Sequence, residues 1–343
     1  MKYRLFGRSG LRVSELCLGA MGFGTEWGQG ADKEESRKIF DAFAESGGNF
    51  IDTANRYTEG TSEKFLGEFL QGQRDKFVIA SKYSLMTATG DLNDAGNSRK
   101  NMIRSLEGSL KRLNTDYLDI FYVHVWDSTT PIDEILRGMD DLVSMGKVNY
   151  IAFSDTPAWI ISNAIGISEV RGMISPAGIQ AEYSLIKRDA ERDLIPMCKH
   201  FDLAVTCWAP LGGGVLTGKY LNGYKEGMRI KPESIRLNER NRNIALGVSE
   251  LAYKTGISSS HIAIKWLIQQ QGVIIPIVGV RTLDQLKDNL EALNHTLDDE
   301  SMNYLNELTK IELGFPHDFL AGDIVKNLAF GGMYESLINH RLK

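Results

Sequence analysis

Short apolar runs of strand-forming residues alternate with longer helical patterns along the chain, and few architectures accept that order. The runs are Leu16–Ala20, Phe50–Ala54, Phe77–Lys82, Leu118–His124, Val148–Asp155, Ile179–Tyr183, Leu203–Pro210 and Val273–Gly279. Between the first two lies DKEESRKIFDAFAESGG, where Ile39, Phe40, Phe43 and Ala44 recur at helical spacing and Gly47-Gly48 supplies a stop. A helix between successive strands makes those strands parallel, and near-continuous apolar strands are buried on both faces. Eight such units in 343 residues favour a closed (β/α)8 TIM barrel, an α/β fold, over an open doubly wound sheet.

Three segments fall outside the repeat. Tyr3–Phe6, a Gly-containing turn and Leu11–Val13 read as an N-terminal β-hairpin. Gly212–Asn241, rich in Gly and charge, forms a long rim loop between the seventh strand and the next helix. A C-terminal tail follows Leu313 and carries Gly314, Pro316, Gly322 and Gly331-Gly332. No Pro/Ser-rich linker divides the chain, so the expectation is a single domain over 1–343, with a barrel core of about 14–310 and a tail of 311–343. The net charge of −5 gives no electrostatic footprint for nucleic acid or an anionic membrane. Cys17, Cys198 and Cys207 are odd in number and lack metal-ligand spacing. The start, MKYRLFGRSG, has no apolar run of signal-peptide length, and nothing approaches the ~18 apolar residues of a spanning helix. Those features together predict a cytoplasmic protein. They leave its oligomeric state open.

Two Gly-rich segments invite a nucleotide reading and do not sustain it. Gly19-Ala-Met21-Gly22-Phe-Gly24 follows a strand, but its spacing is not G-x-G-x-x-G and no apolar helix follows. Gly213 to Lys219 matches G-x-x-x-x-G-K, but Tyr220 stands where a hydroxyl should hold magnesium. The polar residues that end the strands carry more weight, because barrel enzymes place their chemistry at that rim. The second strand ends in Asp52-Thr53-Ala54 with Tyr57 just beyond, the third in Ser81-Lys82, the fourth in His124. Alone, each has an ordinary role: a turn-capping Asp, a snorkelling Lys, a loop Tyr, a core His. On adjacent strands they converge. That set suits proton donation to a carbonyl oxygen. An ammonium lowers the pKa of a phenol otherwise near ~10, a carboxylate fixes the ammonium, and an imidazole orients the carbonyl. The hydride then falls to an organic cofactor.

Here the sequence resembles the aldo-keto reductases, NAD(P)H-dependent enzymes built on a (β/α)8 barrel, over essentially the whole chain to about Lys310. FIDTANRYTEGTSEKFLGEFL resembles the family's signature and places the catalytic pair at Asp52 and Tyr57. IASKY carries the lysine at Lys82 and FYVHVWD the histidine at His124. On the cofactor side, the resemblance assigns Ser154, Asp155 and Gln180 to the nicotinamide carboxamide. Asp155 stands where the family usually has Asn and, when ionised, only accepts hydrogen bonds. WAPLGGG puts Trp208 against the nicotinamide, with Pro210, Leu211 and Gly213 beside the pyrophosphate, and Lys219 follows. Gly19, Met21 and Asp52 complete that wall. In IPIVGVRTLDQLKDNL, Gly279 allows close approach at a helix start, while Gln285 and Asn289 match adenine-side positions. Arg281 offers a fork of donors to a 2′-phosphate, which favours NADPH/NADP+ over NADH.

The resemblance therefore implies reversible NADPH-dependent reduction of a small-molecule aldehyde or ketone, with Tyr57 as general acid, and no metal, nucleic-acid or membrane partner. Trp27, Tyr57, Tyr83, His124 and Trp126, with the soft Met21, are expected to line the substrate pocket. Two alternatives stand beside this reading. Channel-associated β-subunits resemble the same family, which admits a cofactor-binding regulatory subunit. The same machinery run backwards is an NAD(P)+-dependent alcohol or sugar dehydrogenase.

Overall fold

A computed structural model describes residues 1–338. The hairpin is β1 (Tyr3–Leu5) and β2 (Arg12–Ser14), antiparallel, with Tyr3 opposite Ser14. The barrel strands are β3 (Cys17–Gly19), β4 (Phe50–Asp52), β5 (Val78–Tyr83), β6 (Leu118–Val123), β7 (Val148–Ser154), β8 (Gly178–Glu182), β9 (Ala204–Trp208) and β10 (Val273–Gly279). They pair in chain order, and β10 closes on β3. Every barrel pairing is parallel. This is the (β/α)8 barrel that the alternating runs predict, preceded by the predicted hairpin.

The helices are α1 (Lys33–Glu45), α2 (Thr61–Phe69), α3 (Arg99–Leu113), α4 (Ile132–Ser144), α5 (Ala158–Arg171) and α6 (Leu194–Phe201). After the long loop come α7 (Glu239–Thr255), α8 (Ser259–Ile268), α9 (Leu283–Glu291) and α10 (Asp299–Leu308). Local chemistry sets their ends. The Asp32 carboxylate caps α1 by accepting from Glu35 N at 2.9 Å, a contact worth about 1 kcal/mol. Ile39, Phe40 and Phe43 bury the inner face of that helix, and Gly47 beyond it takes a left-handed φ of 86°. Asn238 caps α7, which therefore starts inside the stretch that the sequence assigns to the rim loop.

Two apolar layers hold the barrel. Phe50, Val78, Ala80, Ile120, Tyr122, Ala204 and Ile275 fill its interior, and Phe6 and Val13 of the hairpin join them. Phe6 meets Phe50 edge-on at 5.9 Å. Gly178 makes room for Phe6, because a Cβ there would stand 2.7 Å from the Phe6 ring. The hairpin thus plugs the amino-terminal end of the barrel, and the carboxyl-terminal end stays open. A second, larger layer lies between strands and helices and includes Phe40, Leu66, Phe121, Ile151, Val248 and Trp266. In the tail, α11 (His317–Ala321) and α12 (Asp323–Ala329) pack on each other, with Phe315, Ile324 and Leu328 exposed. Among the described residues, no helix is long and apolar enough to cross a membrane.

Candidate active site

Asp52 ends β4, Lys82 lies near the end of β5, and His124 follows β6 directly. Tyr57 opens a turn just past β4, with its N–H donating to Ala54 O at 3.1 Å. The structure brings all four together. Lys82, fully buried, donates from Nζ to Asp52 Oδ2 at 2.7 Å, to Thr53 O at 2.8 Å and to Tyr57 OH at 3.1 Å. An ammonium has three protons and no lone pair, so these three bonds exhaust it. Because Tyr57 accepts from Lys82, its own hydroxyl proton is left to donate elsewhere. Gln180 Nε2 donates to the other Asp52 oxygen at 2.8 Å. His124 meets the Tyr57 ring edge-on at 5.8 Å, and its Nδ1 is buried without a partner.

Backbone strain concentrates around this cluster. Thr58, Glu59, Asp155 and Ala209 all take positive φ (46°, 55°, 42° and 53°), and they directly follow or flank Tyr57, Ser154 and Trp208. Left-handed non-Gly residues persist where surrounding contacts over-determine them, commonly at functional sites. At Thr58 those contacts are visible. Its Oγ1 donates to Phe23 O at 2.6 Å and accepts from Ser62 N at 3.1 Å.

Burial and charge set the protonation states. Burial pulls the Lys82 ammonium down, but Asp52 and Tyr57 more than offset it, so its pKa is raised and it stays charged. Burial raises Tyr57 above an ordinary phenol, and Lys82 pulls against that shift. The sequence-based expectation of a net lowering is corrected here: desolvation outweighs the ammonium. The phenol is fully protonated at neutral pH, as a proton donor must be. Burial, reinforced by Lys82, lowers His124 to about 3, so the imidazole is neutral.

That last shift has a measurable consequence. Between its ordinary 6.5 and about 3, the unfolded chain binds a proton at His124 that the folded chain refuses. Stability from this group is therefore intact above pH 6.5 and falls as pH drops through that window. From pH 7 to 5, His124 should contribute a loss of about 2 kcal/mol. Urea unfolding at both values, with His124→Gln beside wild type, checks this. An equal pH response in the two proteins would refute it.

The cluster forms the floor of a cleft of about 560 Å³, within the usual range for a ligand site. Gly19, Met21, Ser154, Asp155, Trp208, Pro210, Leu211, Gly213, Lys219, Gly279, Arg281, Gln285 and Asn289 line it, all expected from sequence. The Gln285 side chain is engaged by the loop before α9, its Oε1 accepting from Arg281 N at 2.9 Å. After β9 the chain turns sharply through Gly213 and Gly214, at φ 70° and 96°, a bend that side chains resist. The nominal P-loop is this bend, and its Lys219 reaches the cleft wall. Among the lining residues that sequence reasoning did not name are two cations, Arg229 and Arg236, both from the long loop. Their only sequence signal is a recurrence of basic residues in MRIKPESIR. Desolvation, Arg281 and Arg236 all lower the pKa of Arg229, and desolvation and Arg281 lower that of Lys219. Crowded cations facing open space fit a polyanionic ligand.

Two expected pocket residues lie elsewhere. Tyr83 alternates with Lys82 along β5 and so points away from the barrel axis. It is fully buried, stacks on Phe121 at 5.2 Å and donates to Asn97 O at 3.3 Å. Trp126 is half-buried against the helix-side core instead of lining the cleft. Trp27 does not line the cleft either, but it stands beside it, meeting the Tyr57 ring edge-on at 6.4 Å and donating to Glu59 Oε1 at 3.1 Å.

A closed parallel barrel with a titratable cluster at the carboxyl ends of its strands is the plan of barrel enzymes. Within that class, a sequence model of the aldo/keto reductase family matches residues 15–310, and the chain belongs to this family. It is similar to aryl-alcohol dehydrogenase (NADP(+)) of Phanerodontia chrysosporium, with 40% identity over 92% of this chain and 87% of that protein. It is also similar to norsolorinic acid reductase of Aspergillus flavus, at 35% identity over 92% of this chain and 83% of that one.

Proposed function

We propose that this chain reduces aromatic aldehydes to aryl alcohols with NADPH, reversibly, and that Tyr57 is the proton donor. The chain is an NADP-dependent oxidoreductase. The observation that carries the mechanism is the Lys82 ammonium, whose three protons are committed to Asp52, Thr53 and Tyr57. The phenol proton is thereby free to face the cleft.

The residues fit the cofactor. Lys219, Arg229 and Arg281 offer positive charge for phosphates, and Trp208 offers an aromatic face near Tyr57 and His124 for the nicotinamide. When bound, the reduced nicotinamide supplies the hydride. The protein's own groups do the rest. His124, neutral, donates from Nε2 to the carbonyl oxygen and orients it. Tyr57 passes its proton to that oxygen as negative charge develops, and Lys82 stabilises the resulting phenolate. Asp52 holds Lys82 in place and keeps the site's charge balanced. Run backwards, the phenolate takes the alcohol proton.

The choice of an aromatic substrate rests on Met21 and Trp27 at the rim beside Tyr57, and on the kinship with an aryl-alcohol dehydrogenase. The barrel, its rim loop and the tail are proposed to act as one domain in the cytoplasm. The test is a carbonyl panel followed by loss of NADPH absorbance, with aromatic and short aliphatic aldehydes, α-dicarbonyls and aldoses included. Aromatic aldehydes should lead in kcat/KM by roughly tenfold, the scale that apolar pocket contacts supply. NADPH should be preferred to NADH. No turnover of any carbonyl, and none of the matching alcohols with NADP+, would overturn the proposal.

A further inference from the structure

Trp208 ends β9 in the cleft wall, and its indole is held from two sides by groups that the proton-transfer chemistry does not require. At its edge, the indole N–H donates to Asp155 Oδ1 at 3.2 Å. Over its face lies the Arg236 guanidinium, with its central carbon 5.8 Å from the ring centre. Arg236 comes from the far end of the long loop and is aimed by Glu182, whose Oε1 accepts from Nη2 at 2.6 Å. Glu182 is the register partner of Trp208 on the neighbouring strand. The backbone of Arg236 is tied down as well, donating to Ser234 Oγ at 3.3 Å and accepting from Asn241 Nδ2 at 3.1 Å.

This arrangement separates Arg236 from the other cations of the cleft. Among the described residues neither Lys219 nor Arg229 has a carboxylate within ion-pair distance, and Arg281 crowds both, which suits groups waiting for phosphate. Arg236 has a carboxylate at 2.6 Å. A guanidinium already neutralised by a fixed carboxylate is a weak phosphate ligand but a good stacking partner, because its flat face remains available to an aromatic ring.

We propose that Glu182 and Arg236 are positioning residues for the nicotinamide end of the cleft. Glu182 aims the guanidinium, and Arg236 and Asp155 together fix the tilt of the Trp208 indole on which the nicotinamide stacks. The proposal rests on reading the cleft as an NADP(H) site with Trp208 as the nicotinamide platform. It also gives the long loop a second role, since the segment that carries phosphate-facing cations braces the reacting end of the site too.

The test compares two ligands by calorimetry, NADP+ and 2′-phospho-ADP-ribose, which keeps the phosphates but lacks the nicotinamide. Glu182→Gln keeps the side-chain shape and removes the charge. It should weaken NADP+ roughly threefold to thirtyfold, the range of a cation–π contact, with 2′-phospho-ADP-ribose changed less than about twofold. Arg236→Lys keeps the charge without the flat face and should show the same split. Trp208→Ala is the control for the underlying reading. If it leaves NADP+ binding at the wild-type value, the platform assignment falls and the clamp with it. If Trp208→Ala weakens NADP+ selectively but Glu182→Gln and Arg236→Lys weaken both ligands equally, Arg236 is a phosphate ligand and only the clamp is overturned. No change in either ligand for both variants overturns it as well.

Discussion

Replacing Tyr57 with Phe should lower kcat for carbonyl reduction by about 10²–10⁴-fold, the usual contribution of a positioned general acid. The substitution removes one hydroxyl and leaves the ring that packs against Trp27 and His124. Lys82 loses one of three acceptors but keeps Asp52 and Thr53, so stability should change by only about 1 kcal/mol. NADPH affinity should hold, because the phenol lies at the floor of the cleft and the cationic wall is elsewhere. Stopped-flow turnover alongside NADPH titration by fluorescence separates the two effects. Wild-type turnover in a variant that binds NADPH normally would remove Tyr57 from the mechanism.

How much of this chain is legible in its sequence varies with the range of the interactions involved. Barrel strands are legible because burial on both faces writes itself as continuous apolar runs, and all eight appear where those runs lie. Asp52, Tyr57, Lys82 and His124 are legible because strand ends on adjacent strands must converge in any barrel. What sequence does not show depends on direction or on balance. Tyr83 follows Lys82 immediately, and only strand alternation decides which of the two faces the interior. Trp126 sits just past a strand end, where loop path rather than pattern sets its direction. The sign of the Tyr57 shift is a contest between desolvation and an ammonium, and sequence names the contestants without weighing them. Arg229 and Arg236 belong to a loop with no periodic pattern, so their arrival at the cleft is a matter of tertiary path. The left-handed backbone at Thr58, Glu59, Asp155 and Ala209 is equally invisible, since glycine is absent at each position.

Lys82→Met should damage both folding and catalysis, and the two losses can be pulled apart. Lys82 and Asp52 form a buried ion pair at 2.7 Å, with side chains 0% and 4% exposed. Removing one member leaves the other charge without its partner, which costs about 3–5 kcal/mol in comparable buried pairs. A clear fall in Tm is therefore expected. The pair's own pH dependence has a defined sign. Lys82 has a raised pKa, so its contribution is complete below the ordinary lysine value of 10.5 and disappears only as pH climbs through the folded value. At neutral pH the fall in Tm thus reports the lost partner, not a titration. Catalysis fails for a different reason. Without the ammonium nothing opposes the desolvation that raises Tyr57, and no charge stabilises the phenolate left after proton transfer. The double variant Asp52→Asn/Lys82→Met discriminates between the causes. It removes both charges while keeping an acceptor for Gln180, so Tm should recover most of the loss. kcat should stay at the depressed level of Lys82→Met. Recovery of kcat together with Tm would mean that Lys82 serves folding alone and that the phenol works without it.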